Sequence, residues 1–220
     1  MKNKFTHFQY LKKIQRLKED KINRHNKIRL DANERISPFS QNFMKLIKKK
    51  INSNFFTAYP EVENLYKLLA KTLKLKISNI FLTSGSDTGM KHCFEVFIRP
   101  NSKIITLDPT FGMVNVYAKL FRAKQIKISF NNKLSLNYNK LINSINKSVS
   151  MIMFANPNSP TGTIIKSKDI IEIIKKAKKN NCYVVIDEAY FGFYNKSSLH
   201  LIKKFDNLII LRTFSKAYGL

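Results

Sequence analysis

Four short stretches hold most of the side chains that could do chemistry. Ser84-Gly85-Ser86-Asp87-Thr88 combines small residues, hydroxyls and a carboxylate at the start of a helical pattern. Small residues let backbone N–H groups approach an anion, and a helix start favours negative charge, so the turn suits a phosphate. The same Ser-Asp pattern also makes an ordinary helix cap. Asn156-Pro-Asn-Ser-Pro-Thr-Gly162 is dense in amides and hydroxyls. That suits hydrogen bonding to a ring ligand, and Pro and Gly at this spacing also suit a plain turn. Asp187 ends the apolar run Tyr183-Val-Val-Ile186 and precedes Glu188-Ala-Tyr190. It is either a functional carboxylate facing a crevice or a cap. Lys216, in Thr213-Phe-Ser-Lys-Ala-Tyr-Gly219, follows the apolar run Leu208-Ile-Ile-Leu211. A single lysine in so basic a chain is ordinarily a surface residue, so its case rests on the company it keeps.

These stretches recur at the ends of apolar runs, which sets what must position them. Residues 8–24 alternate apolar and basic residues at helical spacing, as an arm or a first helix. Helices are expected over 39–52 and 61–75, with a turn at Tyr59-Pro60 between them. Strand and helix then alternate. Strands are expected at Asn79–Thr83, Lys103–Leu107, Gln125–Phe130, Val149–Ala155, Cys182–Ile186 and Asn207–Arg212. Helices are expected at Asp87–Ile98, 112–122, 138–146, 167–180 and 198–205. Near-continuous apolar strands alternating with helices predict an α/β fold, a three-layer αβα sandwich with a mostly parallel sheet covered on both faces. In such a sheet ligands lie beyond the carboxyl ends of the strands, so the four stretches would converge on one crevice.

Composition narrows the classes. With 44% hydrophobic and 12% aromatic residues, 220 residues suffice for one sizeable core and argue against disorder. No run reaches the ~18 apolar residues of a membrane helix, and the N-terminus lacks the apolar segment of a secretory signal. The net charge of +26 invites a nucleic-acid or anionic-lipid reading. Only seven of the 40 basic residues are Arg, however, and the rest is Lys in a chain rich in Asn, Ile and Phe, a bias spread along the whole sequence. Lys45–Lys50 and Lys175–Lys179 fall on helical patterns and read as solvated faces. Neither a nucleic-acid nor a membrane partner is expected. Cys93 and Cys182 are far apart in sequence and match no metal or redox spacing; they fit reduced thiols of a cytoplasmic protein, with no metal site expected.

Taken together, Leu30-Asp-Ala-Asn-Glu34, Tyr59-Pro60, Gly85-Ser-Asp87, Asp108-Pro-Thr-Phe111, Asn156–Gly162, Asp187-Glu-Ala-Tyr190 and Thr213–Gly219 resemble, in order, the motifs of the class I/II aminotransferases. These are fold-type I enzymes that use pyridoxal 5′-phosphate, and the resemblance is nearest to histidinol-phosphate aminotransferases. It implies a cofactor-binding large domain over 56–220, preceded by an N-terminal arm and helices over 1–55. It implies that Lys216 holds the cofactor as a Schiff base and moves the substrate Cα proton, that Asp187 pairs with the ring nitrogen, and that Tyr190 hydrogen-bonds the ring 3′-oxygen. Phe111 would stack on the ring. Gly85, Ser86, Asp87, Thr213 and Ser215 would hold the cofactor phosphate, and Tyr59 would reach the phosphate of a partner subunit in a homodimer. Asn33 would lie over the substrate. The 3′-oxygen contact falls to Asn158 or Ser159, since many relatives have Asn where Ser159 stands. The partners would be a small-molecule amino donor and a 2-oxo acid acceptor.

The arm sequence after Asn33-Glu34 departs from the Pro-aromatic-Gly turn of many relatives. Relatives also continue beyond the lysine with a phosphate-binding arginine and a small domain, so the small domain is expected to be largely missing from this sequence, which ends four residues after Lys216. The same resemblance leaves room for a decarboxylase of this fold, for an inactive truncated fragment, or for a basic binding protein on the same scaffold.

Overall fold

The computed structural model describes Tyr10, Leu11, Ile14 and residues 26–220; the helical pattern expected at 8–24 lies mostly outside these residues. Five strands form one parallel sheet: β1 (Lys103–Asp108), β2 (Lys124–Ser129), β3 (Val149–Ala155), β4 (Tyr183–Asp187) and β5 (Leu208–Leu211), in the spatial order β2-β1-β3-β4-β5. Every pairing is parallel, so the sheet is more uniform than the mostly parallel one expected.

Alternation along the strands divides the core in two. Ile105, Leu107, Ile152, Phe154, Val184 and Ile186 face α6 (Tyr138–Ser144) and α7 (Ser167–Lys179). Ile104, Met151, Met153, Val185 and Leu211 face α4 (Gly85–Phe97) and α5 (Gly112–Leu120). Successive side chains of a strand point to opposite faces, so a sheet covered on both sides needs apolar residues at nearly every position. On α7 the residues Ile170, Ile173, Ile174 and Ala177 are buried at i, i+3, i+4 and i+7, which leaves Lys175, Lys178 and Lys179 in solvent. The basic run there is a solvated helix face.

Three expectations need correction. Residues 79–83 contain no strand: Ile77–Asn79 is a 3-10 turn, and the following residues run extended without a neighbouring strand. Leu82 N donates to the Tyr66 hydroxyl at 3.0 Å, so a side chain takes a bond a ladder would have used. The helix expected over 39–52 ends at Lys50 in α1 (Gln41–Lys50), and Asn52 caps a further short helix, α2 (Ser53–Thr57), by accepting from Phe55 N. The helix expected at 198–205 is a 3-10 helix, Leu199–Lys203. Between α2 and the sheet, α3 (Glu63–Leu73) ends at Lys74 in the left-handed conformation.

Among the described residues no helix is long and apolar enough to cross a membrane, and no group of His, Cys, Asp and Glu could hold a metal ion.

Candidate functional site

The carboxyl ends of β1, β3, β4 and β5 bring the chemistry-bearing stretches to one edge of the sheet. β4 and β5 are adjacent, with Asp187 paired in register to Leu211. The chain turns after Leu211 and delivers Thr213, Ser215 and Lys216 within five residues. The Thr213 and Ser215 hydroxyls lie 2.8 Å apart, and Ser215 N donates to Thr213 Oγ1. Facing them is the start of α4. Gly85 has φ +78°, and a Cβ added there would meet Thr213 Oγ1 at 3.5 Å, so the helix start and the two hydroxyls share one small space. No side chain caps this helix; Gly85 N donates to the Thr83 carbonyl at 2.8 Å, and the next N–H groups, those of Ser86 and Asp87, are left oriented for an anion beside the hydroxyls. Asp87, in that first turn, accepts from the Tyr117 hydroxyl of α5 at 3.1 Å.

Asp187 is only 5% exposed. Its side chain accepts from Ala189 N at 3.0 Å, and no cation lies within ion-pair distance of it among the described residues. Burial pushes its carboxyl up to about 7; the Ala189 N–H works against this, the charges of Asp87 and Glu188 add to it, and Lys216 pulls it down. A carboxylate held in this way is suited to a cationic hydrogen-bond donor.

The loop after β3 is tied to the loop after β1. Asn158 is buried, and its Nδ2 donates both to the Pro109 carbonyl (3.0 Å) and to Thr161 Oγ1 (2.9 Å). Its Oδ1 is buried with no hydrogen-bond partner, as is the Thr110 hydroxyl. Buried polar atoms are nearly always paired; these two, on neighbouring loops, are left with bonding capacity that a polar ligand would satisfy, and Asn207 Oδ1 is likewise unpaired elsewhere in the core. Ser159 Oγ lies 3.5 Å from the Tyr190 hydroxyl.

The N-terminal segment closes over these groups. Asn33, in the left-handed conformation at φ +50°, donates to the Tyr190 hydroxyl at 2.9 Å. Lys216 Nζ donates to the Ala32 carbonyl at 2.8 Å. A Cβ on Gly219 would meet Arg35 Cδ at 2.5 Å, so the arm lies directly on the Lys216 loop.

The structure thus brings Asn33, Gly85, Asp87, Asn158, Asp187, Tyr190, Thr213, Ser215 and Lys216 to one edge. Phe111, at the start of α5, is partly exposed. Tyr59 is 97% exposed. Sequence reasoning gave no role to Tyr117, Glu188 or Arg212. Tyr117 reads as one more apolar position of a helix. Glu188 and Arg212 pair across 24 positions of sequence, and no local pattern announces that.

Residues 25–220 match the family described as aminotransferase class I and II. The histidinol-phosphate aminotransferase of Clostridium novyi (strain NT) is 40% identical over 196 residues, covering 88% of this chain and 54% of that protein. The crystal structure of histidinol-phosphate aminotransferase from Clostridium acetobutylicum superposes with a TM-score of 0.69 at 25% identity, over 81% of this chain and 53% of that one. That from Sinorhizobium meliloti, in complex with pyridoxal-5′-phosphate, has a TM-score of 0.76 at 20% identity, over 86% and 52%; at that identity the likeness shows the fold. The chain spans about half the length of the curated relatives it matches. With nearly the whole chain matched in sequence, it belongs to the class I and II aminotransferase family.

Proposed function

We propose that this chain forms the cofactor-binding part, residues 56–220 with a 1–55 arm, of a pyridoxal 5′-phosphate-dependent aminotransferase. The enzyme exchanges an amino group between a histidinol-phosphate-like amino-phosphate, or an amino acid, and a 2-oxo acid. The observation that carries the reading is the carboxyl of Asp187, buried with no ion-pair partner among the described residues at the end of β4, beside the β5 loop that bears Lys216.

The residues fit the cofactor on their own chemistry. The α4 start and the Thr213 and Ser215 hydroxyls suit its phosphate, and the raised carboxyl of Asp187 suits a protonated ring nitrogen. When bound, pyridoxal phosphate supplies an aldehyde for amines and a ring that stabilises negative charge at the substrate α-carbon. Asp187 holds a proton at the ring nitrogen. Lys216 Nζ takes the proton from the substrate Cα and returns it at the other end of the transfer. Tyr190 would donate to the 3′-oxygen, and Phe111 would cover the ring face. Both N–H bonds of the Asn158 amide are engaged, which supports Ser159 as the second donor there and Asn158 as a brace of the loop. Ser86 and Asp87 would hold the phosphate through their backbone N–H groups, with Gly85, whose own N–H is taken by the Thr83 carbonyl, letting the chain approach it. Asn33 covers the substrate. Tyr59, so exposed here, reaches the phosphate site of a partner subunit in a homodimer. Free, buried Cys93 and Cys182 accord with a cytoplasmic setting.

Adding pyridoxal phosphate to the chain gives an absorbance band that shifts when an amino donor is added, and Lys216→Ala abolishes it. No band, or a band indifferent to donors, contradicts the proposal. Release of carbon dioxide in place of a 2-oxo acid redirects it to decarboxylation.

A further inference from the structure

A second buried carboxylate sits beside Asp187 and has no part in the chemistry above. Glu188 is 3% exposed. Its Oε1 accepts from Ser198 N at 2.7 Å. Its Oε2 accepts from the Ser197 hydroxyl at 2.7 Å and from Arg212 Nε and Nη2 at 3.1 and 2.9 Å. Arg212 Nη2 also donates to Ser197 Oγ at 2.7 Å, and the guanidinium lies 3.7 Å from the centroid of Phe191. The backbone repeats the link: Glu188 N donates to the Leu211 carbonyl at 2.8 Å.

We infer that Glu188 and Arg212 form a clasp across the ends of β4 and β5 that sets both the spacing and the charge around Asp187 and Lys216. Glu188 follows Asp187 directly, and Arg212 opens the loop carrying Thr213, Ser215 and Lys216. Movement at either end of the clasp therefore moves a member of the site. A buried carboxylate without a partner, one residue from Asp187, would add a second negative charge to a poorly solvated place. Arg212 offsets part of that charge on the spot. The planar guanidinium delivers two bonds to one oxygen while lying on an aromatic face, which a lysine ammonium cannot do. The pair acts through Asp187 and Lys216, so these are positioning residues; assigning them to a working site rests on the aminotransferase reading.

The test follows the ionisation of Asp187 by carboxyl carbon NMR in the full chain without cofactor, so it stands whether or not pyridoxal phosphate binds. The charged groups facing Asp187 are Asp87 on α4, Glu188 beside it and Lys216 after β5. Arg212→Gln leaves Glu188 unpaired and raises the Asp187 midpoint by roughly one unit. Glu188→Gln leaves Arg212 uncancelled and lowers it by a similar amount, while Arg212→Lys shifts it less than Arg212→Gln. Opposite shifts from two changes that both weaken the fold are what a merely structural pair would not give. Equal midpoints in Glu188→Gln and the parent, or shifts of the same sign, overturn the inference. If Arg212→Gln does not fold, Glu188→Gln and Arg212→Lys still decide it. A parent chain that never takes up pyridoxal phosphate overturns the functional proposal and leaves this measurement intact.

Discussion

Strands β3 and β4 and helices α1 and α2 both carry runs of large apolar residues, and the fold uses them in different ways. Met151, Ile152, Met153 and Phe154 on β3 and Val184, Val185 and Ile186 on β4 are all buried, between helices on two faces. α1 and α2 bury nothing, and Leu46, Phe55 and Phe56 are exposed. The sheet is held by packing that crosses many elements. The N-terminal helices are held locally: Ser40 and Asn52 cap them, Lys48–Lys50 fill the last turn of α1, and Arg35, Phe39 and Phe43 stack in succession. Stability should therefore respond to substitution in very different measure in the two regions.

The largest effect falls in the sheet. Phe154→Ala removes a fully buried ring and should destabilise the chain by about 4 kcal/mol in urea unfolding; a loss under 1 kcal/mol would mean that the β3 core collapses freely. Next comes Asp187, an acid inside that same region. Its carboxyl titrates near 7 in the folded chain, above the 3.8 of an ordinary aspartate. A raised acid binds its proton more tightly when folded, so its contribution is fully present below about 3.8 and is lost as pH rises towards 7. Stability should fall across that window by up to about 1.4 kcal/mol per pH unit, and Asp187→Asn should flatten the slope and make the cofactor-free chain more stable at pH 8. A slope unchanged in Asp187→Asn would assign it to other groups. Then come the caps: Asn52→Ala should cost α2 about 1 kcal/mol, seen as faster amide exchange at Phe55 with an unchanged global midpoint. Smallest is Leu46→Ala on α1, within about 0.5 kcal/mol. A larger loss would show that α1 packs against a surface outside the chain described here.

The same contrast explains what could be read from the sequence. The runs Val149–Ala155 and Tyr183–Asp187 announce strands buried on both faces, and the helices between them announce parallel pairing, because both rest on local pattern. The residues at the strand ends could be picked out for the same reason, since each follows an apolar run directly. Residues 79–83 look like a strand, but pairing needs a neighbour that local pattern does not reveal. The break at Ile51-Asn52 turned on a cap, Asn52, inside a stretch that stays helical in composition. Long-range contacts were out of reach altogether. The Lys216–Ala32 bond spans 184 positions and the Asn33–Tyr190 bond 157, and Glu188 with Arg212 is a pair only in space.

On the proposed function, Asp187, Tyr190 and the Thr213–Ser215 hydroxyls set Lys216 apart as the lysine that takes the cofactor. Incubation with pyridoxal 5′-phosphate, borohydride reduction and peptide mass spectrometry measures it directly. One dominant adduct is expected, on the peptide bearing Lys216, lost in Lys216→Ala and weakened in Asp187→Asn. Adducts spread over the many exposed lysines, in equal yield with and without Lys216, would contradict it.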